Sequence, residues 1–178
     1  MNEQLLILDL DETLIYSSET PLEREFDFRV GVFHTYKRPY LKEFLEFCFE
    51  NFSVAVWTSS TRNYAKNIIK NILNENQNLK FLHSRERCTL SYDEETRENF
   101  YSKKLTKLRR RGVNLDSIIV VDDSPEQWRD SYGNLVKVKR FVGETGDDEL
   151  KFLIRYLAKL KDVDNIRKLE KRGWKNRI

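Results

Sequence analysis

The sequence predicts an α/β fold, a Rossmann-like parallel sheet flanked by helices with a small β-hairpin inserted after the first strand. Three observations predict it. Short, almost wholly apolar runs alternate with stretches of helical periodicity, the pattern of strand–helix–strand units. Three of those runs end in polar side chains suited to chemistry: Asp9 and Asp11, Thr58 and Ser59, Asp122 and Asp123. Residues 19–37 break the pattern with Pro21, an alternation through Phe26, Phe28 and Val30, then Gly31 and a return through Phe33 and Tyr36, which reads as a hairpin.

The elements follow in order. Residues 4–9 read as a buried central strand. Pro39 opens a helix whose stripe, Leu41, Phe44, Leu45, Cys48 and Phe49, has i, i+3, i+4, i+7, i+8 spacing. Residues 53–58 are a second strand, with Ser59 or Ser60 as cap of the next helix, whose apolar face is Tyr64/Ala65, Ile68, Ile69, Ile72 and Leu73. Residues 79–90 suggest short strands around a turn near 84–87. Residues 91–99 read as polar loop and 100–111 as a short basic helix. Residues 117–121 are a third buried strand. Ser124-Pro125-Glu126-Gln127 has the form of a capping box with Pro at the first helical position. Residues 135–138 form a fourth strand, and Leu150, Leu153, Ile154, Leu157 and Leu160 stripe a long helix. A basic extension, 163–178, is read as further helix.

At 178 residues, the chain suits a single domain with its own core. With 39% hydrophobic and 34% charged residues it is globular rather than disordered, and no apolar run approaches the ~20 residues of a membrane span. The first strand begins at once, so no secretory signal is expected. Cys48 and Cys88 are the two cysteines; Cys48 lies on a helix stripe, as a core thiol would. A soluble, intracellular monomer is expected. Net charge is +3 but uneven: residues 101–112 hold six basic and no acidic side chains, and 159–178 eight basic and three acidic. Such clusters suit either solvated helix faces or anionic partners.

Parallel strands bring their C-terminal ends to one edge, where ligands bind in open α/β sheets. In extended chain, Asp9 and Asp11 share a side. The spacing alone says little, since Asp162 and Asp164 repeat it at a helix end; the context and the echo at Asp122-Asp123 give it weight. Four carboxylates at one edge repel one another, and a divalent cation relieves this. All-oxygen ligands suit Mg²⁺; with no His or Cys in the set, zinc is disfavoured. His34 and His83 lack partners at ligand spacing and read as structural. Arg85 and Arg87 fall near a turn that faces either the site or solvent. Trp57 and Trp128 are expected near the sheet edge, and Trp174 exposed or docked.

Asp9-x-Asp11-x-Thr13, Thr58, a lysine and Asp122-Asp123, in that order, resemble the haloacid dehalogenase superfamily of phosphatases. The finer resemblance is to its RNA polymerase C-terminal-domain phosphatase branch, of the FCP/SCP or NLI-interacting-factor-like kind. Lys37-Arg38-Pro39-Tyr40-Leu41, Val56-Trp57-Thr58-Ser59, Tyr101-Ser102-Lys103-Lys104-Leu105 and Val121-Asp122-Asp123-Ser124-Pro125 carry it. The resemblance implies that Asp9 is the nucleophile forming an aspartyl-phosphate and Asp11 the general acid/base, with Thr13 fixing the turn that presents them. Asp9, Asp11 (through its backbone carbonyl), Asp122 and Asp123 would hold Mg²⁺, and Thr58, Ser59 and Lys103 the phosphate. It implies a phosphorylated serine or threonine segment of a protein as substrate. A small-molecule or nucleic-acid-end phosphatase, or a non-catalytic binding module, are the alternatives. The insertion at 19–37 is short for a dedicated polymerase-tail phosphatase.

Overall fold

The computed structural model describes residues 4–178. Its centre is a parallel sheet of five strands: β1 (Leu5–Leu8), β5 (Ser53–Trp57), β6 (Leu82–His83), β9 (Ile118–Asp122) and β10 (Leu135–Lys137), in the order β10-β9-β1-β5-β6. Alternate residues of the buried strands feed two cores. Leu6, Leu8, Val54, Val56, Ile119 and Val121 face α1 (Leu41–Asn51), α2 (Arg62–Ile72) and α4 (Glu149–Leu160). Leu5, Ile7, Ala55, Trp57, Ile118 and Val120 face α3 (Thr106–Arg109) and Trp128. Burial on both faces is why these strands read as continuous apolar runs.

The register levels the strand ends. Leu8 lies opposite Val56 on β5 and Val121 on β9. The next row is therefore Trp57, Asp9 and Asp122, and Asp9 N–H donates to the Val121 carbonyl at 3.0 Å.

After Asp9 the chain turns through Glu12, whose φ is 61°, into β2 (Ile15–Ser18). With β3 (Phe28–Val30) and β4 (Phe33–Lys37) this forms an antiparallel sheet, β2-β4-β3. The expected hairpin is its β3–β4 part, turning at Gly31 (φ 61°). Arg38 clamps this flap to the body. Its guanidinium, buried, donates to Asp147 through Nε at 2.8 Å and Nη2 at 2.9 Å, to the Thr13 carbonyl at 2.9 Å and to the Lys139 carbonyl at 2.8 Å. Burial raises the Asp147 pKa, but Arg38's hydrogen bonds and charge outweigh it and hold the carboxyl below 3.8. A carboxyl with a depressed folded-state pKa stabilises fully above its unfolded value, and loses that contribution as pH falls through the folded one. Arg38→Met, which strands a buried carboxylate, is expected to cost about 3–5 kcal/mol at pH 7, or roughly 10 °C of melting temperature, and less as pH falls through the depressed pKa of Asp147. Thermal melts across pH check this; a variant within about 2 °C of wild type at pH 7 would remove the clamp as a stabilising device.

Several expectations need correction. Residues 91–99 are loop only at 94–97: β7 (Thr89–Asp93) and β8 (Glu98–Ser102) form a two-stranded ribbon around that turn. The usual apolar-in, polar-out alternation is missing there, because Leu90 and Tyr92 point to solvent, 62% and 57% exposed, while Asp93 and Ser102 are buried. The basic helix of 100–111 shrinks to α3. Pro125–Asn134 is kinked 3-10 helix, and Ser124 does not cap it; the Ser124 hydroxyl lies 3.4 Å from Asp123 Oδ2 instead. Nor does Ser59 or Ser60 cap α2, whose N-cap is Thr61, because the Ser60 hydroxyl donates to Asp11. The extension 163–178 is not one helix but holds two short 3-10 turns, Ile166–Lys168 and Trp174–Arg177. It docks through buried Ile166 and Trp174, whose indole N–H donates to the Lys137 carbonyl at 2.8 Å. Cys48 is a buried core thiol as expected. Among the described residues no helix is long and apolar enough to cross a membrane.

Candidate active site

Three of the four candidate carboxylates meet at the levelled edge. Asp9, Asp122 and Asp123, all buried, each offer an oxygen within 4.8 Å of the others. Lys103 reaches them from the end of β8. Its ammonium, 1% exposed, donates to Asp9 Oδ1 and Asp122 Oδ2 at 2.6 Å each. The adjacent Lys104 turns outward to Asp130 at 3.4 Å, and Lys107 donates to the Arg87 carbonyl. The structure thus separates three lysines that the sequence leaves as neighbours.

Asp122 is held on every side. Its Oδ2 also accepts from Trp128 Nε1 at 2.7 Å, and Oδ1 from Ser124 N–H at 2.9 Å. Trp128 and Trp57 pack edge-on, ring centres 5.7 Å apart, as expected of side chains at this edge. Asp123 is fixed by Thr13, whose hydroxyl donates to Oδ1 and accepts from the Asp123 N–H, both at 3.2 Å. Thr13 therefore does more than shape the turn after Asp9; it also aims a carboxylate.

Asp11 goes elsewhere. The left-handed turn at Glu12 ends the extended geometry that would have converged the pair. Asp11 Oδ1 accepts from the Tyr64 hydroxyl and Oδ2 from the Ser60 hydroxyl, both at 2.7 Å. Its carboxylate is not one of the three that meet. Tyr64 belongs by periodicity to the apolar face of α2, and nothing in the sequence marks it as a partner of Asp11. Thr58 is 1% exposed; its hydroxyl oxygen accepts from Ser60 N–H at 3.0 Å, which leaves its proton free to donate. Ser59 stands on the same loop, and its carbonyl accepts from Arg85 Nε at 2.8 Å. Arg85 therefore faces the site: with Asp11, Ser60, Tyr64 and Phe33 it lines an open cavity of about 370 Å³. Arg87 is not among the lining residues. His34 and His83 are structural, the latter packed against Trp57 and Phe81.

The electrostatics show a deficit of positive charge. Burial raises the Asp9 pKa well above 3.8 despite Lys103. Asp123 is pushed up to about 6 by burial, then by Asp122 and Glu12. Burial also raises Asp11, against the pull of Tyr64 and Ser60. Lys103 moves the other way: burial lowers it, but Asp122 and Asp9 outweigh this and keep it charged. One ammonium does not balance this many buried carboxylates. A hard divalent cation fits the residual charge and the all-oxygen donor set. Asp9 and Asp123 have the more available oxygens, with Asp122 as support.

Residues 4–167 match the NLI interacting factor-like phosphatase family. The chain belongs to this family. Similar curated proteins include CTD small phosphatase-like protein 2 of Dictyostelium discoideum, 30% identical over 91% of this chain and 28% of the relative. Phosphatase Herzog of Drosophila melanogaster is 30% identical over 93% of this chain and 46% of its own. CTD nuclear envelope phosphatase 1B of Danio rerio is 26% identical over 97% and 73%. The chain thus spans less than half of the first two relatives. Among solved structures, Fcp1, described as an essential RNA polymerase II CTD phosphatase, superposes with a TM-score of 0.59 at 22% identity over 89% of this chain and 48% of that one. A fission yeast Fcp1 variant bound to beryllium fluoride gives 0.57 at 20% identity over 98% and 54%. Those two likenesses support the fold, the parallel sheet with its flanking helices.

Proposed function

We propose that this member of the family is a Mg²⁺-dependent phosphatase of phosphoserine or phosphothreonine protein segments, working through an aspartyl-phosphate. The observation that carries the reading is the division of labour among the carboxylates. Asp9 sits beside Lys103 and within the carboxylate triad, while Asp11 is held apart by Tyr64 and Ser60. Two acids in different surroundings suit two different roles.

Asp9 attacks phosphorus, and the P–O bond to the substrate hydroxyl breaks. Asp11, its pKa raised by burial, gives its proton to the departing oxygen. Asp11 then takes a proton from water, which attacks the phosphorus of the aspartyl-phosphate and releases phosphate, restoring Asp9. Lys103 offsets the repulsion between Asp9 and an incoming phosphate dianion, and the free Thr58 proton with the Ser59 loop holds a phosphoryl oxygen. Mg²⁺, held by Asp9, Asp123 and Asp122 with the Asp11 carbonyl, would neutralise developing charge on the phosphoryl group.

A peptide substrate is favoured by the shallow mouth. The three-stranded flap is too small to enclose a metabolite, and the mouth stays open beside Phe33 and Arg85. Of the hairpin's aromatic and aliphatic groups, Val30 packs into the core with Phe28 against it, and Phe26 meets His34 edge-on, leaving Phe33 at the entrance. The test is phosphate release from phosphoserine and phosphothreonine peptides against sugar phosphates and nucleotides, with Mg²⁺ or chelator. Peptides are expected to show the higher kcat/KM, and chelator to abolish turnover. Asp123→Ala should raise the Mg²⁺ needed about tenfold, ~1.4 kcal/mol, without lowering the melting temperature of the metal-free protein. A metabolite preferred a hundredfold, about 2.7 kcal/mol, overturns the substrate; full activity in chelator overturns the metal.

A further inference from the structure

The docked C-terminal extension encloses a cavity of about 670 Å³ against the outer edge of β10. None of the candidate catalytic residues lines it. Seven basic and two acidic side chains do, a net charge of five positive. Four of the cations are already engaged, Arg172 with Glu170 at 2.7 Å, Lys175 with Glu149 at 2.5 Å, Lys139 with Glu144 at 3.2 Å and Arg167 with Asp116 at 3.9 Å. Among the described residues Lys137 and Lys168, both exposed, have no carboxylate partner.

Lys171 is the informative one. It is 5% exposed, and its ammonium donates to the carbonyls of Ile166 at 2.6 Å and Leu169 at 2.7 Å. No carboxylate forms an ion pair with it among the described residues, the adjacent Glu170 offsets only part of the cost of burial, and its third N–H has no partner among the described residues. A buried cation without a counter-charge is costly, and burial depresses its pKa accordingly. An anion in the cavity would supply both the missing charge and the missing acceptor.

We propose that this cavity is a second anion site, taking the phosphate group of a phosphorylated protein segment at a place distinct from the carboxylate-lined centre. Three lining cations without an ion-paired carboxylate, Lys137, Lys168 and Lys171, call for a multiply charged anion such as a phosphate dianion rather than a single carboxylate. Nucleic acid is the poorer fit, because strand binding needs a row of stacking platforms and Tyr132 is the one exposed aromatic lining the cavity.

The test uses the full chain in chelator, where the acidic centre repels anions. Inorganic phosphate, then a phosphoserine peptide, is titrated while amide NMR shifts are followed. Saturable shifts at residues 168–174 are expected. Lys137→Glu combined with Lys168→Glu should weaken binding at least tenfold while leaving Mg²⁺-supported turnover of an aryl phosphate unchanged, so the result stands apart from the catalytic reading. Lys171→Met should also lose binding. Wild-type protein without saturable shifts, variants that bind as wild type, or an oligonucleotide that outcompetes the phosphopeptide tenfold would each overturn the proposal.

Discussion

Asp9→Asn is expected to lower turnover at least about 10⁴-fold, roughly 5.4 kcal/mol of transition-state stabilisation, with the fold intact. The shape is retained, and the amide oxygen can still accept from Lys103. The carboxylate proposed to attack phosphorus is gone, and with it one of the three charges of the triad. Stability should move the other way. The folded-state pKa of Asp9 is raised, so ionising it opposes folding: the cost is absent below its unfolded value and grows as pH rises towards the folded one. At pH 7 the metal-free Asp9→Asn variant should therefore melt at or above the wild-type temperature. Initial rates and melts in chelator measure both. A well-folded variant that keeps even a hundredth of the activity would rule out attack by Asp9.

The strands that carry the site were legible because burial on both faces leaves polar residues only at their ends, so 4–9, 53–58 and 117–121 stand out as apolar runs. Their order implied that Asp9, Thr58 and Asp122-Asp123 share an edge, and the register places Asp9 and Asp122 in one row. The fate of Asp11 was not legible. It depends on one left-handed residue, Glu12, and on Tyr64 from a helix more than fifty residues later, which hydrophobic periodicity assigns to the core. The β7–β8 ribbon escaped for the opposite reason. It buries little, so its alternation is not apolar-in and polar-out, and register there rests on the cross-strand pairs Leu90–Tyr101 and Tyr92–Asn99. The extension reads as helix because its basic composition suits a solvated helical face, whereas two buried side chains, Ile166 and Trp174, tie it down as turns.

Lys103 and Lys104 offer the sharper contrast, since sequence order cannot separate adjacent lysines and burial does. Lys103→Met should leave the buried Asp9 and Asp122 carboxylates facing each other without a counter-charge. Removing one partner of a buried ion pair costs about 3–5 kcal/mol, and removing a charged donor from a reacting centre about 10²–10³ in kcat. Lys104→Met touches only a 3.4 Å surface pair with Asp130, and its effect should stay within about 0.5 kcal/mol. Because the Lys103 loss is one of charge, Mg²⁺ should raise the melting temperature of Lys103→Met more than that of wild type, while turnover stays low because the ammonium beside the nucleophile is not replaced. Parallel melts with and without Mg²⁺, alongside initial rates, test this. Equal losses for the two lysines would mean that the 2.6 Å contacts of Lys103 do not hold the nucleophile, and that the excess carboxylate charge is met by the cation alone.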